Sequence, residues 1–341
     1  MNPYLQISRD AARALEEFSD EFRSALALAD FPTWAANLGL VRDTDALKTT
    51  YPIPISAASF HEFDGDMKYR SLYHRSLSMQ SKKWQDGISE FANVIEAPDF
   101  IDWAGEPARI AREWLRQPNV LVADMLALNA LAGPLLNFYD DVDSGTLNST
   151  LNLFDTHPYN IFKTGLGDFT NILTTTEAEI ESGAFFDAAN DYFSAILGPN
   201  GRPLGLSFSS GGTCLVPSTR ETLFKNTLQF DTIVNAINAA GVKNQTSGNV
   251  AAVTRNNIYK GTVSYQRADE LDNQDYFYAI ASGSAGGVPW IVQRSSSPEE
   301  FVLDKSSEEY MKTLKVSISY VGQMAAAACL PHRIARVQIT G

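Results

Sequence analysis

The sequence predicts an α+β fold, and two observations support that class. Near the C-terminal end, apolar residues take every second position, as in a half-buried strand: Leu314, Val316, Ile318 and Tyr320. Over residues 140–341, strand-like and helix-like stretches follow one another irregularly, without the βαβ repeat of a doubly wound parallel sheet. We therefore expect segregated helices and strands in a mixed architecture.

The amino-acid composition argues against several classes of protein. The chain has 341 residues, of which 44% are hydrophobic and 20% charged, so it can bury a core. Its net charge of −13 argues against general binding of nucleic acid, which needs clustered Lys and Arg. The sequence has no signal-peptide pattern and no apolar run of membrane length, which predicts a soluble, intracellularly made protein without membrane contact. Two distant cysteines, Cys214 and Cys329, indicate neither a disulfide framework nor a thiolate zinc site.

Residues 8–29 have the pattern of one amphipathic helix. Ser8 is a suitable cap, and Leu15, Phe18 and Phe22 recur at helical spacing between charged residues. The apolar stripe needs a partner surface. Two interpretations stay open: the helix packs on its own domain, or it is an arm that reaches a neighbouring subunit.

Residues 51–89 are predicted to form an extended hairpin. β-favouring alternation surrounds a turn signal at Asp64-Gly65-Asp66. The stretch carries a cluster of basic residues, namely Lys68, Arg70, His74, Arg75, Lys82 and Lys83. In a chain of net charge −13, such a hairpin suits an acidic surface on a neighbour, and a solvated strand face is the alternative.

Further elements follow in order. Pro107 and Pro118 each sit at a first helical position and Gly133-Pro134 ends the second helix, so two helices are predicted to form a broken rod. Helices are also expected at 183–197 and 218–240, the latter after a strand at 213–218, with a loop at 244–257. Later strands are predicted at 275–281, 289–294, 314–321 and 336–339.

Motifs that would indicate an enzyme are missing from the sequence. It has no nucleophile elbow, Walker A loop or dinucleotide fingerprint. Two carboxylate clusters, at residues 61–66 and 141–145, are the metal candidates worth testing, but the second lacks its bidentate Glu because Asn152 takes that position. His157, before Pro158, is interpreted as a turn residue held by a hydrogen bond rather than a general base. We predict no catalytic, cofactor-binding or metal-binding residues, no cofactor, and no enzyme.

The order of parts resembles the major capsid proteins of tailed bacteriophages. Four segments are more narrowly similar to the Mu-like major head subunit family: LNLFDTHPYN at 151–160, TCLVPSTRETLFKNTL at 213–228, GVPWIVQR at 287–294 and SEEYMKTLKVSISYVGQMAA at 307–326. The Asp-Gly pair expected before the first segment appears instead as Asp143-Ser144-Gly145.

That resemblance implies the capsid fold of tailed phages and its domains. These would be an N-terminal arm at 1–50, an extended loop (E-loop) at 51–92, a peripheral domain with a spine helix at 93–182, an axial domain at 183–285, and completion of the peripheral sheet at 286–341. It implies a structural protein that assembles as pentamers and hexamers into the icosahedral head around double-stranded DNA. The protein would be made in the host bacterial cytoplasm and end in the virion.

The same resemblance implies partners and contact residues. The partners would be other copies of the chain and the scaffolding, portal and decoration proteins of the head, with packaged DNA only nearby. An arm stripe left uncovered in one chain would be buried in a shell. The expected contact residues between subunits are Leu15, Phe18, Phe22, Lys68, Arg70, Arg75, Lys82, Lys83 and Trp84. Alternatives are an encapsulin-like compartment, a cytoplasmic α+β hydrolase that uses His157, and a monomeric binding module.

Overall fold

A computed structural model describes most of the chain, in two compact units. The described residues are 3–28, 33–54, 74–95, 105–128, 152–158, 167–198, 201–236, 252–271, 275–283, 287–295 and 297–340. The first unit comprises Met1–Thr49, Met79–Val122 and Val292–Ala326, and the second comprises Thr50–Ser78, Ala123–Ile291 and Ala327–Gly341.

The helices and strands are numbered in chain order. The helices are α1 (Pro3–Leu28), α2 (Trp34–Leu38), α3 (Ala92–Ile95), α4 (Glu106–Leu128), α5 (Glu177–Ser182), α6 (Ala184–Ala195), α7 (Glu221–Gln229) and α8 (Glu308–Thr313). The strands are β1 (Leu40–Asp43), β2 (Lys48–Pro54), β3 (His74–Gln80), β4 (Lys82–Phe91), β5 (Thr156–Pro158), β6 (Asp168–Thr170), β7 (Ile172–Thr175), β8 (Leu206–Ser207), β9 (Thr213–Pro217), β10 (Thr232–Ala236), β11 (Ala252–Asn256), β12 (Ser264–Ala268), β13 (Tyr276–Ile280), β14 (Ser282–Gly283), β15 (Trp290–Arg294), β16 (Glu299–Leu303), β17 (Lys315–Ala328) and β18 (Ile334–Ile339).

The first unit is built around the long strand β17. This strand pairs antiparallel with β4 on one side and with β16 on the other, and β15 and β1 continue the sheet. The predicted alternation is confirmed on β17, because Val316, Ile318 and Tyr320 are buried while the residues between them are partly exposed. Leu314, predicted to belong to the same strand, instead follows the last residue of the helix over 308–313 and is exposed. That buried face packs against side chains from α1 and α4, which makes one hydrophobic cluster.

Helix α4 runs unbroken through Pro118, so the prediction of two helices is wrong there. A proline inside a helix costs about 3 kcal/mol because it removes a hydrogen bond and crowds the preceding turn. Burial on both sides of it, at Ala111 and Val122, offsets that cost. The side chain of Asn119, next to the proline, accepts a hydrogen bond from the Ala35 N–H at 3.1 Å.

The second unit contains a mixed sheet in the order β12-β9-β13-β18-β7. The outer pairs β12/β9 and β18/β7 are parallel and the inner pairs antiparallel, which confirms the α+β class over a doubly wound one. Its core is strongly aromatic, with Phe185, Phe186, Phe193, Phe208, Phe224 and Phe277 all buried. Helix α5 begins at a capping box made by Thr176 and Glu179 and ends at Gly183, whose φ of 79° suits a residue without a Cβ.

Two predictions about the second unit are wrong. The helix expected over 218–240 ends at Gln229, and the β-branched residues Thr232, Ile233 and Val234 begin strand β10. Part of the loop expected over 244–257 is strand β11, which pairs antiparallel with β10. In both cases the segment forms a strand because it pairs with the other segment. The periodicity of each segment alone does not reveal that pairing.

Candidate subunit-contact surfaces

The apolar stripe of α1 is covered within the first unit. Leu15, Phe18 and Phe22 are buried, and the Phe22 ring stacks on Tyr320 with centroids 3.6 Å apart. The expectation that a single chain leaves this stripe uncovered is therefore wrong, because the face of β17 provides its partner surface. Contact of these three residues with another subunit stays a prediction.

Polar contacts tie α1 to the edge of the same sheet. Ser19 Oγ donates to Glu300 Oε2 at 2.6 Å, and Arg23 Nη2 lies 3.2 Å from the same oxygen. Glu300 belongs to β16, opposite Tyr320 of β17. Helix α1 is thus held against the sheet by its buried apolar side chains and by the polar contacts of Ser19 and Arg23 with Glu300.

The basic residues that were predicted to share one hairpin do not all belong to it. Strands β2 and β3 pair as a hairpin, but Lys68, Arg70 and the turn at 64–66 lie outside the described residues. Arg75 lies on β3, and its side chain is not among those described. The hairpin was predicted to continue to residue 89, which is wrong because β4 pairs with β17 instead.

Lys82, Lys83 and Trp84 consequently belong to the sheet of the first unit. Both lysines are exposed, whereas Trp84 is half-buried and its Nε1 donates to the Met324 carbonyl at 3.2 Å. Trp84 also lines a cavity of about 270 Å³ with Phe22, Trp114, Tyr320, Asp86 and Glu113. Aromatic faces beside carboxylates suit a cationic group.

Hydrogen bonds close the root of the β2–β3 hairpin. The buried side chain of Gln293 donates from Nε2 to the Ala46 carbonyl at 2.8 Å and to Ser81 Oγ at 2.9 Å. Between those two points the Ser81 N–H donates to the Leu47 carbonyl at 2.8 Å. The residues that enter and leave the hairpin are therefore fixed side by side.

Exposed apolar side chains appear on both units. In the first unit, β16 exposes Phe301, Val302 and Leu303. In the second unit, Phe230 and Ile258 are exposed on two segments joined by Asn257, whose Nδ2 donates to the Phe230 carbonyl at 2.9 Å. The sequence pattern did not predict either group of exposed side chains. The available signal at β16 was a run of three β-favouring residues between Pro298 and Asp304.

Two histidines of the second unit, His157 and His332, are buried. The prediction that His157 lies in a turn is wrong, because it is on strand β5 opposite Phe169. The predicted hydrogen bond is confirmed: the ring is buried and its Nε2 donates to the Leu153 carbonyl at 3.0 Å. Asn171 Nδ2 donates to the same carbonyl at 2.8 Å and to the Pro331 carbonyl at 3.2 Å. Burial lowers the pKa of His157 against the opposing effects of Leu153 and Asp155. The nearby His332 is also buried.

We expect acid to destabilise the chain through His332. Burial, with the charges of Arg333 and His157, lowers the pKa of His332 to about 3, from 6.5 in an exposed histidine. Below pH 6.5 the unfolded chain binds a proton that the folded chain does not, so the free energy of unfolding falls as pH falls towards 3. At pH 5 this loss is about 2 kcal/mol. Urea unfolding at pH 7 and pH 5 measures it.

The matched variant for that experiment is His332→Gln, which keeps a polar side chain and cannot titrate. Carboxylates contribute equally to the acid dependence of both proteins, so the difference between their slopes isolates the histidine. An identical pH dependence in the two proteins would contradict the expectation.

The two cysteines are also buried. Burial raises the pKa of the Cys329 thiol to about 12 and also raises that of Cys214, which keeps both from acting as thiolates. The two carboxylate clusters named as metal candidates, at 61–66 and 141–145, lie outside the described residues. Among the residues with described positions, no three His, Cys, Asp or Glu side chains are arranged to hold a metal. In the same residues, no helix is long and apolar enough to cross a membrane.

Comparisons with known proteins give structural likenesses only. No protein-family model matches the sequence, and no curated protein matches it. The procapsid of bacteriophage JBD30 aligns with a TM-score of 0.49 and 11% identity, over 100% of this chain and 77% of that one. The virus-like particle from Pyrococcus furiosus gives a TM-score of 0.49 and 7% identity, over 95% of this chain and 98% of that one. The capsid of the cyanophage P-SCSP1u gives 0.47 and 10%, over 92% and 90%. These three solved structures are a procapsid, a virus-like particle and a capsid.

Proposed function

We propose that the chain is a structural subunit that assembles with copies of itself into a closed shell, as the major capsid protein of a tailed phage. The observation that carries the proposal is the exposed apolar strand β16, with Phe301, Val302 and Leu303 side by side at a sheet edge. Phe301 and Leu303 share one face of the strand and Val302 lies on the other. Apolar side chains exposed along an unpaired strand edge are typical of association sites. Phe230 and Ile258 give the second unit an exposed apolar surface as well.

The hydrolase alternative has no geometric support in the described residues. It required His157 to act in a pocket, but His157 is buried and bonded to a backbone carbonyl. The buried cysteines are no better placed as nucleophiles.

The finer parts of the proposal rest on the sequence resemblance. They are assembly through pentamers and hexamers, an icosahedral head around double-stranded DNA, membership of the Mu-like subfamily, and synthesis in the host cytoplasm. Scaffolding, portal and decoration proteins would be the other partners. The intersubunit roles of Lys68, Arg70, Arg75, Lys82 and Lys83 belong to the same proposal, and exposure of the last two agrees with it.

The test is the particle size of the purified full chain, measured by light scattering and negative-stain imaging. We expect closed particles, or pentamers and hexamers that close when a scaffold is added. DNase-resistant DNA inside particles from infected cells would identify a phage head, whereas an enclosed enzyme would identify an encapsulin-like compartment. A monomer of 37.4 kDa that persists under crowding would contradict the proposal.

A further inference from the structure

The cavity beside Trp84 lies within the first unit, between one face of its sheet and helix α4. Trp84 and Asp86 are two residues apart on β4, and Asp86 lies opposite Tyr320 on β17, so the three side chains share that face. The part of α4 that lines the cavity is one helical face with the spacing i, i+3, i+4 and i+7: Ile110, Glu113, Trp114 and Gln117. Regular elements therefore build most of the cavity wall.

Gly322 on β17 makes room for one of the two tryptophans. A Cβ at this position would collide with three carbon atoms of the Trp114 ring, so the indole lies directly against the strand. Trp84 lies opposite Gly322 on the neighbouring strand, and its Nε1 is already bonded to the Met324 carbonyl. Both indoles are partly exposed, which leaves the cavity open to solvent.

The lining carries negative charge. Asp86 and Glu113 contribute carboxylates, and none of the described residues that line the cavity is Lys, Arg or His. Asp86 Oδ1 accepts from the Gly87 N–H at 2.8 Å, which leaves Oδ2 without a hydrogen bond in the described part of the chain. Of the basic residues on α4, Arg116 approaches Glu113 to 4.0 Å and Arg109 is bonded to Glu106. The cavity therefore attracts a cation.

Tyr320 adds an unused polar group to the same lining. Its side chain is 4% exposed, and its hydroxyl has no hydrogen-bond partner within the described part of the chain. The stacked Phe22 ring, 3.6 Å away, fixes the orientation of the phenol. Buried polar groups without a partner are uncommon and destabilising, so we expect an N–H donor in the cavity to supply the missing bond.

We propose that this cavity binds a guanidinium group. A guanidinium ion is planar, stacks on aromatic faces and donates several hydrogen bonds from a rigid fork. Those properties match two indoles, two carboxylates and a phenolic oxygen. The volume of about 270 Å³ equals that of roughly nine water molecules, which is enough for one arginine-sized group and below the range of drug-sized ligands.

Binding of butylguanidinium to the purified full chain tests the class of ligand. Butylurea is the matched control, because it has the same shape and similar N–H donors but no charge. We expect butylguanidinium to bind roughly tenfold more tightly than butylurea in a ligand-observed NMR titration. Equal binding of the two compounds, or no binding of butylguanidinium, would overturn the proposal.

The variant Asp86→Asn removes one charge and keeps the shape of the side chain. It should weaken butylguanidinium binding roughly fivefold. Glu90→Gln is the matched control: Glu90 lies on the same strand, its Oε1 accepts from the next N–H at 2.9 Å as Asp86 does, and it does not line the cavity. This control should bind as the parent chain does. Equal weakening in both variants would assign the attraction to the general charge of the chain and contradict the site.

Tyr320→Phe separates binding from folding. The variant keeps the ring that stacks on Phe22 and removes only the hydroxyl without a partner. Butylguanidinium binding should weaken about threefold, while the thermal stability of the ligand-free chain should stay equal or rise. Unchanged binding in this variant would contradict the contact with Tyr320.

A guanidinium group has two sources, an arginine side chain of a second copy and a free guanidino compound. Binding to unassembled subunits but not to closed particles would identify the arginine of a second copy, and binding to both forms would identify the free compound. The outcomes also separate this inference from the proposed function. Closed particles whose subunits never bind butylguanidinium would overturn the site and leave the shell intact, whereas specific binding to a persistent monomer would support the site and contradict the shell.

Discussion

Replacing Asn171 by alanine is expected to lower the free energy of unfolding by about 4 kcal/mol, because several buried backbone groups lose a partner together. The amide is fully buried, and Oδ1 accepts from the Asp155 N–H at 2.9 Å. Its Nδ2 donates to the carbonyls of Leu153 and Pro331. One side chain thereby joins the segment before β5 to the turn before β18.

The matched control is Asn226→Ala on the exposed face of α7, which should change stability by less than about 0.5 kcal/mol. Urea unfolding of both variants beside the parent chain measures the difference. If the two substitutions cost the same, the hydrogen bonds of Asn171 do not stabilise the fold as inferred.

Gly87→Ala is expected to destabilise the first unit by about 3 kcal/mol, near the upper range for an atom inserted without room. A Cβ on Gly87 would lie 2.5 Å from the Ile318 carbonyl oxygen and 2.6 Å from both Cα and Cβ of Ser319. Those atoms belong largely to the backbone of the central strand and cannot move aside. Strand β4 would have to separate from β17 along part of its length.

Gly105→Ala is the control for this substitution. It adds the same methyl group within the same unit, but nothing lies within 4 Å of the new atom. Thermal unfolding should therefore show a large loss for Gly87→Ala and little change for Gly105→Ala. A similar loss for both would contradict the expectation, because the lower unfolded-state entropy of alanine favours folding at both positions and only Gly87 has the contact with β17.

Patterns of neighbouring residues in the sequence correctly predicted the elements whose formation depends on nearby residues. The alternation at Val316, Ile318 and Tyr320 correctly predicted a half-buried strand, and the helical spacing of Phe18 and Phe22 correctly predicted a buried stripe. The stripe could not show which surface covers it, because its partner lies some 300 residues away on β17.

Features that depend on distant partners escaped prediction. Asn171 and Gln293 look like ordinary polar residues in the sequence, and their importance comes from backbone groups far along the chain. The β16 edge was missed because Phe301, Val302 and Leu303 are consecutive and lack the alternation that marks a strand. Thr232–Ala236 was predicted as helix because the residues before it follow a helical pattern.

The closed root of the β2–β3 hairpin has a consequence for variation in length. Gln293, Leu47 and Ser81 hold the two ends of the hairpin together whatever lies beyond them. The entropy of closing a loop rises by only about 0.6 kcal/mol for each doubling of its length. Insertions and deletions between β2 and β3 should therefore leave the sheet of the first unit almost undisturbed. Evolution, or an engineer adding a peptide tag, can lengthen the chain here at little thermodynamic cost.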